Sequence, residues 1–168
     1  QRMGGLVEDL LQLARLDESR PLRMSSADLT ELAEGTVLDF LARAPEYSAK
    51  VTGLHGEPPE PVIARVDRDK ISQVITNLLG NVLQHTPEGT AVEVAVGIEQ
   101  VRAVTGLVNM AVIEVRDHGP GIPAEKHDKA FERFYRIDTS RSRASGGSGL
   151  GLAIVSSIAA AHNGSANI

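Results

Sequence analysis

The sequence predicts an α/β domain, and three observations carry that reading. Residues 29–42, 69–85 and 152–161 each repeat apolar side chains at three- and four-residue spacing, the period of an amphipathic helix. Val92, Val94 and Val96 alternate with Glu93 and Ala95, and Met110, Val112, Ile113 and Val115 form a second apolar run, so both read as strands. The chain has 168 residues, 42% of them hydrophobic, enough for one ordinary domain with a core plus an appendage. Aromatic residues make up only 3%, so that core rests on Val, Leu, Ile and Ala.

Taken in order, residues 6–16 place Leu6, Leu10, Leu13 and Val7, Leu11, Ala14 on one helical seam. Such a stripe packs on its own domain or forms half of a helical hairpin or dimer seam. A polar stretch with Pro21 then reads as a linker. Ser26 or Asp28 caps the next helix, which turns Leu32, Val37, Leu38 and Leu41 inward and ends at Pro45. Residues 50–54 and 62–66 read as short strands flanking a Gly-Glu-Pro-Pro-Glu-Pro turn region. Asp67 or Asp69 opens the helix that follows, and Thr86-Pro87-Glu88-Gly89 breaks it. Between the two Val-rich strands, residues 101–106 read as a connection.

Composition excludes several classes. A net charge of -5 argues against a nucleic-acid surface. Without Cys there is no disulfide framework, thiolate metal site or Cys nucleophile. No apolar run reaches the roughly 20 residues of a membrane helix, and the first residues do not resemble a signal peptide.

The polar motifs narrow the chemistry. Asn77 and Asn81 lie one turn apart on one helix face, which Gln84 and His85 extend. Asn is a middling helix former, so the pair marks either a solvated face or a ligand site. An amide oxygen suits Mg²⁺, which keeps several waters and takes further ligands from phosphates. Asp117-His118-Gly119-Pro120-Gly121-Ile122 follows a strand directly, and its glycines permit a tight turn or close approach to a ligand. Residues 137–148 lack apolar periodicity and contain Arg141 and Arg143; they read as a mobile loop, either solvated or a lid meeting phosphates. Gly147-Ser148-Gly149-Leu150-Gly151-Leu152 opens a helix whose backbone N–H groups can face an anion. No strand precedes it, so a dinucleotide fingerprint is excluded, and no P-loop is present.

In this fixed order the motifs resemble the catalytic, ATP-binding domain of sensor histidine kinases, within the GHKL ATPase superfamily. Residues 77–87 are similar to its N box, 117–122 to its G1 box, 131–136 to its F box and 147–152 to its G2 box. Residues 6–17 resemble the end of the second helix of the family's dimerisation and phosphoacceptor domain. The resemblance implies an α/β sandwich of Bergerat type: a mixed sheet with helices on one face and nucleotide held between those helices and a lid. It divides the chain into a helix remnant (1–20), a linker (21–26) and a catalytic domain (27–168), apparently truncated at its C-terminal strands.

The resemblance also implies roles. Asp117 binds the adenine amino group, with Gly119, Gly121 and Ile122 against the base. Asn81 ligates Mg²⁺ and Asn77 binds phosphate. Phe134 anchors the lid, and Arg136, with Arg133, reaches the phosphates. Gly147, Gly149, Leu150, Gly151 and Leu152 hold the β- and γ-phosphates, while Gln84 and His85 line the site. Relatives often carry a base in place of Gln84, an aromatic in place of His85 and an acid in place of Gly80. None of His55, His85, His118, His127 and His162 has the setting of the family's phosphoacceptor. The expected activity is therefore transfer of the ATP γ-phosphate to a His on a segment absent here, then to an Asp on a response regulator. The expected parent is a homodimeric membrane sensor, and this fragment its cytoplasmic part, without membrane or nucleic-acid contact. The alternatives are a GHKL serine/threonine kinase of anti-sigma type and a non-enzymatic nucleotide-binding module.

Overall fold

The computed structural model describes residues 21–135 and 149–168. The helical seam at 6–16, Arg136, Gly147 and the Arg-bearing loop lie outside the described residues.

The first strand, β1 (Ser25–Asp28), takes in Ser25 and Ser26, which the sequence assigned to the linker. Helix α1 (Leu29–Arg43) follows at once. Of the two candidate caps, Asp28 is the one used: its Oδ1 accepts from Thr30 N at 2.9 Å and from Val62 N at 3.1 Å. One carboxylate oxygen thus satisfies a helix-start donor and fastens a distant segment. Val37 is buried as expected, but Leu38 is 68% exposed, because it falls beside Val37 on the far side of the stripe.

The expected strands at 50–54 and 62–66 appear as β2 (Ser48–Thr52) and β3 (Ile63–Val66), but not as partners. β3 pairs antiparallel with β1, Ser25 opposite Val66. β2 pairs parallel with β4 (Ala91–Ala103), Ser48 opposite Ala91. β4 pairs antiparallel with β5 (Gly106–Asp117), giving the order β2-β4-β5. The architecture is therefore mixed α/β as predicted, with a separate two-stranded ribbon. Residues 101–106 are not a loose connection: the ladder runs to Ala103 opposite Gly106, so only Val104 and Thr105 turn the hairpin. Gly106, at φ 118°, supplies the left-handed geometry that this turn requires.

Helix α2 (Arg68–His85) starts from Asp67, whose Oδ1 accepts from Lys70 N at 3.2 Å. Ile71, Ile75, Leu79 and Val82 form its buried stripe, facing Val92, Val94 and Val96 of β4 within one apolar cluster. Each fully buried aliphatic side chain there contributes about 1.5–3 kcal/mol. Leu83, one of the apolar residues of the 69–85 repeat, is 41% exposed at the helix end. A short 3₁₀ turn, Ala124–Lys126, leads into α3 (His127–Ala130). Helix α4 (Gly151–Ala161) buries Leu150, Ile154 and Ile158 as a second, smaller cluster against Val74 of α2. Helices α1 and α2 cover one face of the sheet, and α4 lies alongside α2. On the opposite face Lys50 pairs with Glu93 at 2.8 Å, and Arg116 bonds Glu114 and the Leu54 carbonyl.

Candidate functional site

The core stripe of α2 dictates where its asparagines go. With Ile75, Leu79 and Val82 turned to the sheet, Asn77 and Asn81 occupy the flank that faces α4. Asn77 Nδ2 is buried and has no hydrogen-bond partner among the described residues. An orphaned buried donor costs about 1–3 kcal/mol, so such groups persist where a ligand completes them.

The start of α4 comes directly to Asn81. A Cβ placed on Gly151 would lie 3.5 Å from Asn81 Oδ1, so the missing side chain leaves a cradle beside that amide oxygen. Among the described residues no side chain caps α4, and its first turn holds no acidic residue. Its first-turn N–H groups and the positive end of its dipole lie at the cradle. Leu150 is fully buried, so its side chain belongs to the core while its backbone lies at the helix entrance. Gly149 has φ 72°, and a Cβ there would stand 3.1 Å from Phe134 Cα and from the Tyr135 carbonyl oxygen. Phe134 N donates to the Gly149 carbonyl at 3.0 Å, which joins the two ends of the segment between them. Phe134 is itself left-handed, at φ 64°, and 54% exposed. That is strained backbone for an aromatic residue.

The Asp117 turn rests on the C-terminal end of α2, just beyond Asn81. Asp117 is exposed at the end of β5, and its Oδ1 accepts from Gly119 N at 2.8 Å. A Cβ on Gly119 would come within 2.6 Å of Thr86 Cγ2, so only glycine lets the turn lie this close. Gly121, at φ 72°, faces open space. Ile122 is half-buried, and its carbonyl lies 2.8 Å from His127 Nε2. Gln84 and His85 are exposed on the last turn of α2, His118 is exposed on the Asp117 turn, and Arg133 is exposed just before Phe134. Glu93 is held below the usual carboxylate range by its hydrogen bond to Lys50, then by the charge of Lys50, with smaller help from His118 and Arg116.

Three contacts thus gather the predicted motifs around α2: Gly151 on Asn81, Gly119 on Thr86, and Gly149 on Phe134. Two residues that support the arrangement escaped the sequence reading. Thr86 read only as a helix breaker. Tyr47 donates from its hydroxyl to the Thr86 carbonyl at 3.2 Å and packs edge-on against Phe40. Its one signal was being a rare aromatic just after Pro45.

The family of histidine kinase-, DNA gyrase B- and HSP90-like ATPases matches residues 66–168. The chain belongs to this ATPase family. ATP binding follows from membership of the family. Over 168 residues the chain is 45% identical to the probable sensor histidine kinase TcrY of Mycobacterium tuberculosis, covering all of this chain and 33% of that protein. It is 39% identical over 166 residues to the sensor protein kinase WalK of Staphylococcus saprophyticus, covering 98% of this chain and 25% of that protein. The chain therefore spans a third or less of the length of these relatives. Among solved structures, the mycobacterial sensor histidine kinase MprB shares a TM-score of 0.65 and 28% identity over 83% of this chain and 82% of that one. Full-length ShkA in complex with AMPPNP shares a TM-score of 0.69 and 26% identity over 95% of this chain and 31% of that one.

Among the described residues no three His, Cys, Asp or Glu side chains gather to hold a metal. The Asn81 amide oxygen, beside the open face of Gly151, is a hard donor of the kind a hydrated cation would accept as one ligand.

Proposed function

We propose that this ATPase-family chain is the kinase portion of a two-component sensor. It passes the γ-phosphate of ATP to a histidine outside the chain, and from there the phosphate goes to an aspartate of a response regulator. The observation that carries the reading is the pairing of the orphaned Asn77 amide with the Gly151 cradle at Asn81, at an uncapped helix start. The sensor kinases TcrY and WalK, similar over nearly the whole chain, favour this reading over a serine/threonine kinase or an inert binding module.

In this scheme Asp117 accepts a hydrogen bond from the exocyclic amine of adenine, while Gly119, Gly121 and Ile122 leave backbone against the base. Asn77 donates to a phosphate oxygen. Asn81 offers its amide oxygen to Mg²⁺, which when bound neutralises charge on the β- and γ-phosphates. The N–H groups from Gly149 through Leu152 cradle those phosphates at the start of α4. Arg133 and Arg136 bring positive charge to the phosphate end, and Phe134 holds the segment in register. Gln84 and His85 line the rim. The protein's part is positioning and charge compensation, with little covalent work. Residues 1–20 are read as the end of the dimerisation and phosphoacceptor hairpin, residues 21–26 as the joint, and the parent as a homodimeric membrane sensor with this portion in the cytoplasm. No helix among the described residues is long and apolar enough to cross a membrane.

Calorimetric titration with ATP, ADP and GTP, with and without Mg²⁺, tests the reading. Binding should favour ATP and strengthen with Mg²⁺, and Asn81→Ala should remove the Mg²⁺-dependent part. Unchanged binding in that variant would take Asn81 out of the site. Phosphotransfer to a separately supplied acceptor helix should give an acid-labile phosphohistidine; acid-stable phosphoserine would support the serine/threonine reading instead.

A further inference from the structure

His162 follows the last turn of α4 and has no place in the nucleotide site described above. Its Nε2 accepts from the backbone N–H of Asp67 at 3.0 Å, and its Nδ1 lies 2.8 Å from the Ile158 carbonyl. A backbone N–H can only donate and a carbonyl only accept. The two contacts together therefore require the neutral ring with its proton on Nδ1. Asp67 is itself buried at 7% exposure, and its carboxylate accepts from Arg23 N at 2.9 Å and Lys70 N at 3.2 Å. One node thus joins the segment entering the domain, the start of α2 and the end of α4.

The two helices run antiparallel. At one end Asp67 meets His162; at the other Asn81 meets Gly151. At 1.5 Å rise per residue, Asn81 stands about 20 Å along α2 from Asp67, so a swing of about 3° at the joined end moves the far end by about 1 Å. Between the ends, Leu150, Ile154 and Ile158 of α4 pack as an apolar cluster with Val74 of α2. That apolar contact is non-directional, whereas the hydrogen bonds at the joined end are directed and so select one angle among those the packing allows.

We propose that His162 is a positioning residue that pins the far ends of α2 and α4, and so sets the gap between Asn81 and Gly151 that the phosphates of ATP enter. The proposal rests on the nucleotide reading given above. A pin remote from the adenine end acts on phosphate affinity and leaves the base subsite alone. General loss of structure would weaken both.

The test is a titration of the parent chain, His162→Phe and His162→Gln with Mg·ATP and, separately, with adenosine, followed by NMR. Phe fills the space without either hydrogen bond. Gln can place an amide oxygen where Nε2 accepts. His162→Phe should bind Mg·ATP about tenfold more weakly, since misplacement of about 1 Å is costly in a positioned site. Its adenosine affinity should stay at the parent's value, and His162→Gln should recover most of the loss. The ring nitrogens of the parent should show the neutral Nδ1–H pattern. Where the Phe variant fails to fold, the Gln variant and the ring tautomer carry the test. Equal losses for ATP and adenosine, no loss for either, or an Nε2–H ring would overturn the pin while leaving the nucleotide site standing. A parent that binds neither ligand would overturn the nucleotide reading, and the pin with it.

Discussion

Replacing Gly151 by Ala separates the fold's interest from the site's. Gly151 is the first residue of α4 and takes ordinary helical geometry, so Ala narrows the unfolded ensemble without native strain. That should stabilise the chain by about 0.4–1 kcal/mol, or a rise of about 1–4 °C in Tm for a chain of this size. The new methyl would sit 3.5 Å from Asn81 Oδ1, an ordinary contact that displaces no protein atom. It would, however, occupy the cradle from which that oxygen is reached. Even a partial loss of one ion-mediated contact, about 1.4 kcal/mol, is tenfold in affinity. The expected outcome is opposite signs: thermal unfolding shifts up while calorimetry shows Mg·ATP binding at least about tenfold weaker. A variant that is more stable and binds Mg·ATP as the parent does would refute the placement of phosphate between Asn81 and Gly151. A variant that loses stability would refute the account of the helix start.

Two further outcomes follow from the same geometry. Asp117→Asn replaces an acceptor by a group that can also donate, so the preference for ATP over GTP should shrink; competition binding with the two nucleotides reads it, and an unchanged ratio would remove Asp117 from adenine recognition. Burial works to raise the Asp67 carboxyl, but N–H donation from Arg23 and Lys70, the charge of Lys70 and the Asp69 N–H outweigh it, and the net shift is downward. The unfolded chain then binds its proton first as pH falls. Stability from this group is thus complete above the ordinary aspartate range and drains away below it, through the depressed value. Denaturation midpoints across that acid window should fall less steeply in Asp67→Asn, which keeps the N-cap but does not titrate; parallel slopes would contradict the assignment.

Much of the candidate site was legible because its chemistry is local. Paired amides one turn apart, an aspartate at a strand end before spaced glycines, and glycines opening a helix are all sequence patterns with direct physical meaning. Helix caps were nearly as legible: Asp28 and Asp67 were among the residues named for that role, and both cap. Pairing was not. Whether residues 48–52 would join 63–66 depended on which edges remained free once α1 and α2 had packed, and each strand found a different partner. The hairpin at 101–106 was missed because exposed strands far from a core carry polar and apolar residues with no buried face to order them.

What the amino-acid order determined by itself was the set of groups available to a nucleotide and the helices and strands that carry them. Only the tertiary structure decided that Gly151 stops beside Asn81, that Gly119 lies on Thr86, and that Tyr47 and His162 hold the framework from outside. The reason is that periodicity fixes which face of an element is buried, whereas the angle and approach of two buried faces depend on side chains far apart in the chain.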